Sequence, residues 1–172
     1  MAKSLLDGTV YTATTVDGKT AYTSIDDSQF DAATLLSLSY VSSWIKMEIP
    51  PKLPLEDAIE LAASLLGVDV RDPFPLLIEG TTQEFHMHVI NGFCPVANAD
   101  LETKLQPWRL TKSGAQQITV VGIYAKDKDG VMTHRGSNVH MHGIIEMDGE
   151  LTSGHLNPVT LQQGATIFIP AE

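Results

Sequence analysis

The sequence predicts an α+β, β-rich fold in which mixed or antiparallel sheets form a barrel-like core beside one main amphipathic helix. Three observations carry this reading. About eight or nine short runs are rich in β-branched and aromatic residues, or alternate apolar with polar side chains at the period of a strand. One run, residues 55–66, instead has apolar residues three and four apart, the spacing of a helix face. Turn residues punctuate the rest, with Asp-Gly pairs at 17–18, 129–130 and 148–149.

In chain order, residues 6–24 read as a hairpin whose strands meet at Val16-Asp17-Gly18-Lys19. The polar, acidic residues 26–31 are a loop. Residues 34–41 alternate Leu36, Leu38 and Tyr40 against Ser37 and Ser39, as a half-buried strand does. Residues 44–49 form a neighbour stopped by Pro50-Pro51. In the helix, Leu55, Ala58, Ile59, Ala62, Leu65 and Leu66 share a face, Pro54 suits the start and Gly67 the end. Its role is core packing.

Asp72-Pro73 and Pro75 mark a loop, and Leu76 opens a strand with a bend or bulge at Glu79-Gly80. Residues 82–90 are a strand with Phe85, Met87 and Val89 on a core face, and Glu84, His86 and His88 on a face toward solvent or a lined cavity. Residues 91–117 lack periodicity and read as a long loop with a short helix near 100–105. Residues 118–125 are a strong strand and 126–130 a turn. Residues 138–147 are a strand, and Met147-Asp148-Gly149-Glu150 is a hairpin turn that sends the chain back antiparallel. Residues 158–161 read as loop, and residues 165–169 as a last strand ended by Pro170.

A chain of 172 residues is read as one domain, 1–172, able to bury a core. Its formal net charge of −10 argues against nucleic acid as a partner and against adsorption to anionic membranes. No run is apolar and long enough to span a bilayer, and the N-terminal residues lack the apolar stretch of a signal peptide. With Cys94 the single cysteine, no internal disulfide is available, so a cytoplasmic location is expected. Cys94 itself is read as a small buried apolar residue rather than a nucleophile.

The chemistry-bearing residues are histidines, of which the chain has six. His140 and His142 lie two apart on one strand and share a face. The turn at Asp148-Gly149 returns His155 toward them, so three imidazoles converge as in an open zinc or similar divalent site, with a further position for water or substrate. His134, beside Arg135 in a predicted loop, is read as solvated.

The motif HMHGIIEMDGELTSGH, residues 140–155, resembles the metal-binding signature of α-acetolactate decarboxylases: a His-x-His strand, a short hairpin, then Gly-His. The likeness extends through Thr34-Leu35-Leu36-Ser37-Leu38-Ser39-Tyr40, the amphipathic helix, Leu77-Ile78-Glu79-Gly80-Thr81 and Val120-Val121-Gly122-Ile123-Tyr124. The resemblance implies a Zn2+ or similar divalent ion on His140, His142 and His155, and a homodimer. It also implies decarboxylation of a small 2-hydroxy-3-keto acid, acetolactate to acetoin. On that reading Glu84, His86 and His88, which share one strand face, are expected to face the substrate as the catalytic groups. Where that family carries an arginine on the strand after Glu-Gly-Thr, this chain has His88. The stretch GHLNPVTLQQGATIFI, residues 154–169, also resembles the end of a plant- and prokaryote-conserved domain, a binding or assembly module. Two alternatives to the lyase therefore stand: a non-catalytic metal- or ligand-binding homologue, and a zinc-dependent ester hydrolase.

Overall fold

The protein is described by a computed structural model covering residues 2–7, 9–15, 21–25, 39–89 and 108–171. Its elements are β1 (Ala2–Leu6), β2 (Thr9–Thr15), β3 (Ala21–Ile25), β4 (Trp44–Glu48), α1 (Leu55–Leu66), β5 (Phe74–Val89), β6 (Trp108–Ser113), β7 (Gln117–Tyr124), β8 (Val139–Met147), β9 (Glu150–Leu161) and β10 (Thr166–Pro170). Strands β1 to β3 form a small antiparallel sheet, and the other seven a large one, so the expected β-rich α+β class holds.

The large sheet is organised by β5, whose 16 residues are too long for one set of neighbours. Its first half, through Thr81, pairs with β7 and, more briefly, with β10. Its second half, from Thr82, pairs with β9 and β6. Because β7 also pairs with β8, and β8 with β9, the path β5–β7–β8–β9–β5 closes into a ring. Closure pairs β7, β8 and β9 on both sides and encloses a core, while β4 and β6 stay at the edges. The exchange of neighbours is held at Thr82, which is fully buried: its N–H donates to Gln116 O at 2.9 Å and its Oγ1 to Gly114 O at 3.0 Å. On the other edge Gln162 N donates to Thr81 O at 2.7 Å.

Alternation along β5 follows from this closure. Phe85, Met87 and Val89 are buried inside, while Glu84, His86 and His88 face outward. Gly80, expected at a bend, lies within the unbroken strand. A Cβ there would meet Ala165 Cβ at 2.7 Å, so glycine is required for the approach of the segment leading into β10. The register shifts of β5 occur further on, between Thr82 and Glu84 and between Phe85 and Met87.

Helix α1 has the predicted bounds, with Pro54 as the N-cap residue and Gly67 in the left-handed conformation. Ala58, Ile59, Ala62 and Ala63 are buried, whereas Leu65 stays exposed. Its acidic first turns do more than pack. The Glu56 carboxylate accepts from Ser137 Oγ and, at 3.3 Å, from Asn138 N, and Glu60 accepts from the Tyr124 hydroxyl. The helix thereby anchors the start of β8.

Four expectations are corrected. Residues 158–161 belong to β9, because the ring continues β9 alongside β5 as far as Thr82↔Leu161. Residues 108–113, expected in a loop, form β6, whose alternation of Trp108, Leu110 and Lys112 with Arg109, Thr111 and Ser113 supplies the outer edge of β5. The strand begins at Phe74, through Pro75, rather than at Leu76. Residues 39–41 lie in no strand; the remainder of that predicted strand, the 16–19 turn, the 26–31 loop, Cys94 and the 100–105 helix lie outside the described residues.

Candidate metal centre

The register of the ring aligns functional side chains in a row. His142 on β8 is opposite His155 on β9, His155 is opposite His88 on β5, and His88 is opposite Arg109 on β6. Directly opposed residues share a face, so all four project to one side of the sheet. His140, two residues before His142, joins the same face. Glycine permits the close approach. Gly143 and Gly154, also opposed, follow His142 and precede His155, and a Cβ on Gly154 would stand 2.9 Å from His88 O.

The turn that returns β9 is as expected: Asp148 and Gly149 both have positive φ, 54° and 80°, as a two-residue type I′ hairpin requires.

The loop between β7 and β8 adds a fifth imidazole. Thr133 Oγ1 donates to Ser137 O at 2.6 Å, Gly130 N to Thr133 O at 2.9 Å and Gly136 N to Asp129 Oδ2 at 3.3 Å. So folded, the loop sets His134 over the row, its ring centroid 5.0 Å from that of His140 and 5.6 Å from that of His155. The expectation of a solvated His134 is thus corrected: the side chain is half-buried and its Nε2 is fully enclosed, without a hydrogen-bond partner among the described residues. Sequence spacing could not reveal this, because the loop's own hydrogen bonds decide where His134 points.

Two sets of three histidines bring ligand nitrogens within 4.8 Å of one another: His140, His142 and His155, and His88, His134 and His155. The first is the predicted triad, and its fit to a metal is good. His140 Nε2 and His155 Nδ1 are 3.2 Å apart, near the edge of about 3.3 Å that two nitrogens make around a tetrahedral ion with bonds of about 2.0–2.1 Å. His140 Nδ1–H donates to Met132 O at 3.3 Å, which leaves the lone pair on Nε2. His142 Nδ1 is hydrogen-bonded to the buried Ser4 Oγ of β1 at 2.8 Å. Such outer partners fix ring orientation and tautomer in metal sites.

The electrostatics agree with a metal-binding role. Burial, then repulsion from the neighbouring imidazoles if charged, pushes His155 down to about 2. Burial, then His134, Arg109 and His140, lowers His88 to about 4. Burial is also the main cause that lowers His134 and His140. Neutral imidazoles present lone pairs, the form that metals bind.

The three predicted catalytic residues do not stay together. His88 joins the cluster. His86 instead faces Glu84, with Nε2 3.4 Å from Glu84 Oε1, and its Nδ1 is 3.2 Å from Thr111 Oγ1 on β6. Glu84, four residues from His88, lies about 13 Å along an extended strand. Arg109, which sequence reasoning left in a loop, is the exposed cation next to His88 in the row. The alternation of Trp108 and Leu110 around it was the available signal.

No protein-family model matches the sequence, and no match was found among curated proteins. Solved structures do share the fold. The α-acetolactate decarboxylase of Bacillus subtilis strain 168 superposes with a TM-score of 0.65 at 17% identity, over 99% of this chain and 68% of that one. A Staphylococcus aureus protein of unknown function, similar to α-acetolactate decarboxylase, gives 0.57 at 15% identity, over 97% of this chain and 66% of that one. A plant- and prokaryote-conserved protein of Pyrococcus horikoshii gives 0.50 at 15% identity, over 80% and 84%. At these identities the likeness is one of fold.

Proposed function

We propose that the protein is a divalent-metal-dependent carboxy-lyase acting on a small 2-hydroxy-3-keto acid, converting acetolactate to acetoin. The observation that carries this is the 3.2 Å separation of His140 Nε2 and His155 Nδ1, with His142 opposite His155, in a fold shared with an α-acetolactate decarboxylase. His140, His142 and His155 would hold the ion. When bound, it supplies Lewis-acid stabilisation of the negative charge that develops on the keto oxygen as carbon dioxide leaves.

The chain's own residues supply the rest. Arg109 offers a fixed positive charge at the exposed end of the row, suited to gripping the substrate carboxylate. His88, one strand from His155 and outside the first ligand set, carries both a lone pair and an N–H and can relay a proton to the carbon that loses carbon dioxide. Ser4 and Met132 O keep the ligand rings oriented.

The test is acetoin formation from acetolactate by protein stripped with chelator and then reloaded with Zn2+, Co2+ or Mn2+. Activity that returns with the ion, and falls about 100-fold or more in His88→Ala with the ion retained, supports the reading. Uptake of one ion per chain with no acetoin would favour a non-catalytic metal-binding protein. That second reading is supported by Glu84 and His86, which face each other and Thr111 near solvent rather than the histidine cluster.

A further inference from the structure

We infer that the ion has two alternative seats in this cluster, with His155 the ligand common to both: the first completed by His140 and His142, the second by His88 and His134. The inference rests on the proposed metal dependence and extends it to residues with no assigned role as ligands.

Each set by itself meets the requirement for a three-ligand site, since its nitrogens all lie within 4.8 Å of one another. His134 Nε2 is the sharper observation. It is buried and has no partner among the described residues, and a buried nitrogen without a partner is costly. The rings around it are imidazoles: His140 at 5.0 Å, His155 at 5.6 Å and His88 at 6.0 Å between centroids. An ion between His134, His88 and His155 would satisfy that nitrogen. His88 and His155 already stack at 5.1 Å with an interplanar angle of 15°, on directly opposed positions of β5 and β9.

The seats are alternatives because two ions on one His155 ring would require that ring to lose its remaining proton. They are also unequal. Arg109 adjoins His88 in the row and repels a cation there, whereas His140 and His142 have an outer carbonyl and an outer hydroxyl to orient them. The second seat is therefore the weaker. With the ion there His88 is a ligand and cannot relay a proton, so this seat holds the metal in a resting form.

The experiment uses chelator-stripped full-length protein titrated with Co2+, read by calorimetry and by visible absorption, which reports coordination independently of activity. Wild type, His140→Ala/His142→Ala and His88→Ala/His134→Ala should each take up one Co2+ per chain, the first pair of substitutions more weakly and with a different absorption envelope. Adding His134→Ala to His140→Ala/His142→Ala, or replacing His155 by Ala in the wild type, should cut affinity by about 100-fold or more. Wild type binding one Co2+ while folded His140→Ala/His142→Ala binds none would overturn the second seat and leave the proposed function standing. Uptake that survives the added His134→Ala would also overturn it. Wild type binding none would overturn both. Circular dichroism establishes folding, and His140→Phe/His142→Phe, which keeps a planar ring but offers no ligand atom, replaces the Ala pair should that unfold.

Discussion

The chain contains the triplet His-Met-His twice, at 86–88 on β5 and at 140–142 on β8, and the two copies have different fates. In both, the methionine points inward and the histidines outward, as strand alternation dictates. On β8 both histidines enter the cluster: His140 meets Met132 O and His155, and His142 meets Ser4 and lies opposite His155. On β5 only His88 does so. His86 is opposite Thr111 of β6, at a point where the register between β5 and β9 shifts, and it turns toward Glu84 near solvent. Identical local spacing therefore yields a ligand pair in one place and a split pair in the other. What differs is the neighbouring strand.

The comparison is broken most strongly at β8. His140→Ala should lower affinity for the ion in the native protein by more than about 100-fold, read by Co2+ or Zn2+ titration, because Nε2 is a proposed ligand and its loss exceeds the roughly 10–100-fold typical of outer partners. A similar loss in His86→Ala would show that the two triplets are equivalent after all.

A second effect appears in the metal-free protein as pH falls. His88 and His155 are held neutral in the fold, at about 4 and about 2, while in the unfolded chain they protonate near 6.5. Below 6.5 the unfolded state binds more protons, so their contribution is fully present above about 6.5 and is lost as pH falls toward those lower values. Thermal unfolding of stripped protein between pH 7.5 and 4.5 should show falling Tm. In His88→Ala/His155→Ala the slope should be shallower, and an unchanged slope would assign the acid sensitivity elsewhere.

Next comes the approach of β9 to β5. Gly154→Ala puts a Cβ 2.9 Å from His88 O, which is backbone and cannot move aside cheaply. A loss of about 1–3 kcal/mol in unfolding free energy is expected, together with weaker metal binding. Stability equal to wild type would mean that β9 can shift without disturbing the row. Ser4→Ala should weaken binding by about 10-fold through His142, with little change in fold. Smallest of all, Glu84→Ala and His86→Ala should each change stability by less than about 0.5 kcal/mol, as expected for an exposed pair.

Much of this was legible in advance because it is local. The α1 bounds follow from apolar spacing with Pro54 and Gly67 at the ends, and the return of His155 follows from Asp148-Gly149 and strand alternation. Strand β6 was not legible: its edge role gives it weak apolar character, and Pro107 and Trp108 read as loop. Pro158 likewise suggested a loop, yet β9 runs through it beside β5.

By itself, then, the amino-acid order determined the strand and helix periods, the tight turn before β9 and the convergence of His140, His142 and His155, each a matter of residues within about one hairpin of one another. Only the tertiary structure decided which distant histidines join them. Closure of the ring brings β5 against β9 and so sets His88 opposite His155, although 67 positions separate them, and hydrogen bonds within the loop after β7 turn His134 inward. Register between non-adjacent strands is a property of the whole barrel's packing, and a one-residue slip would send each of these imidazoles to the other face.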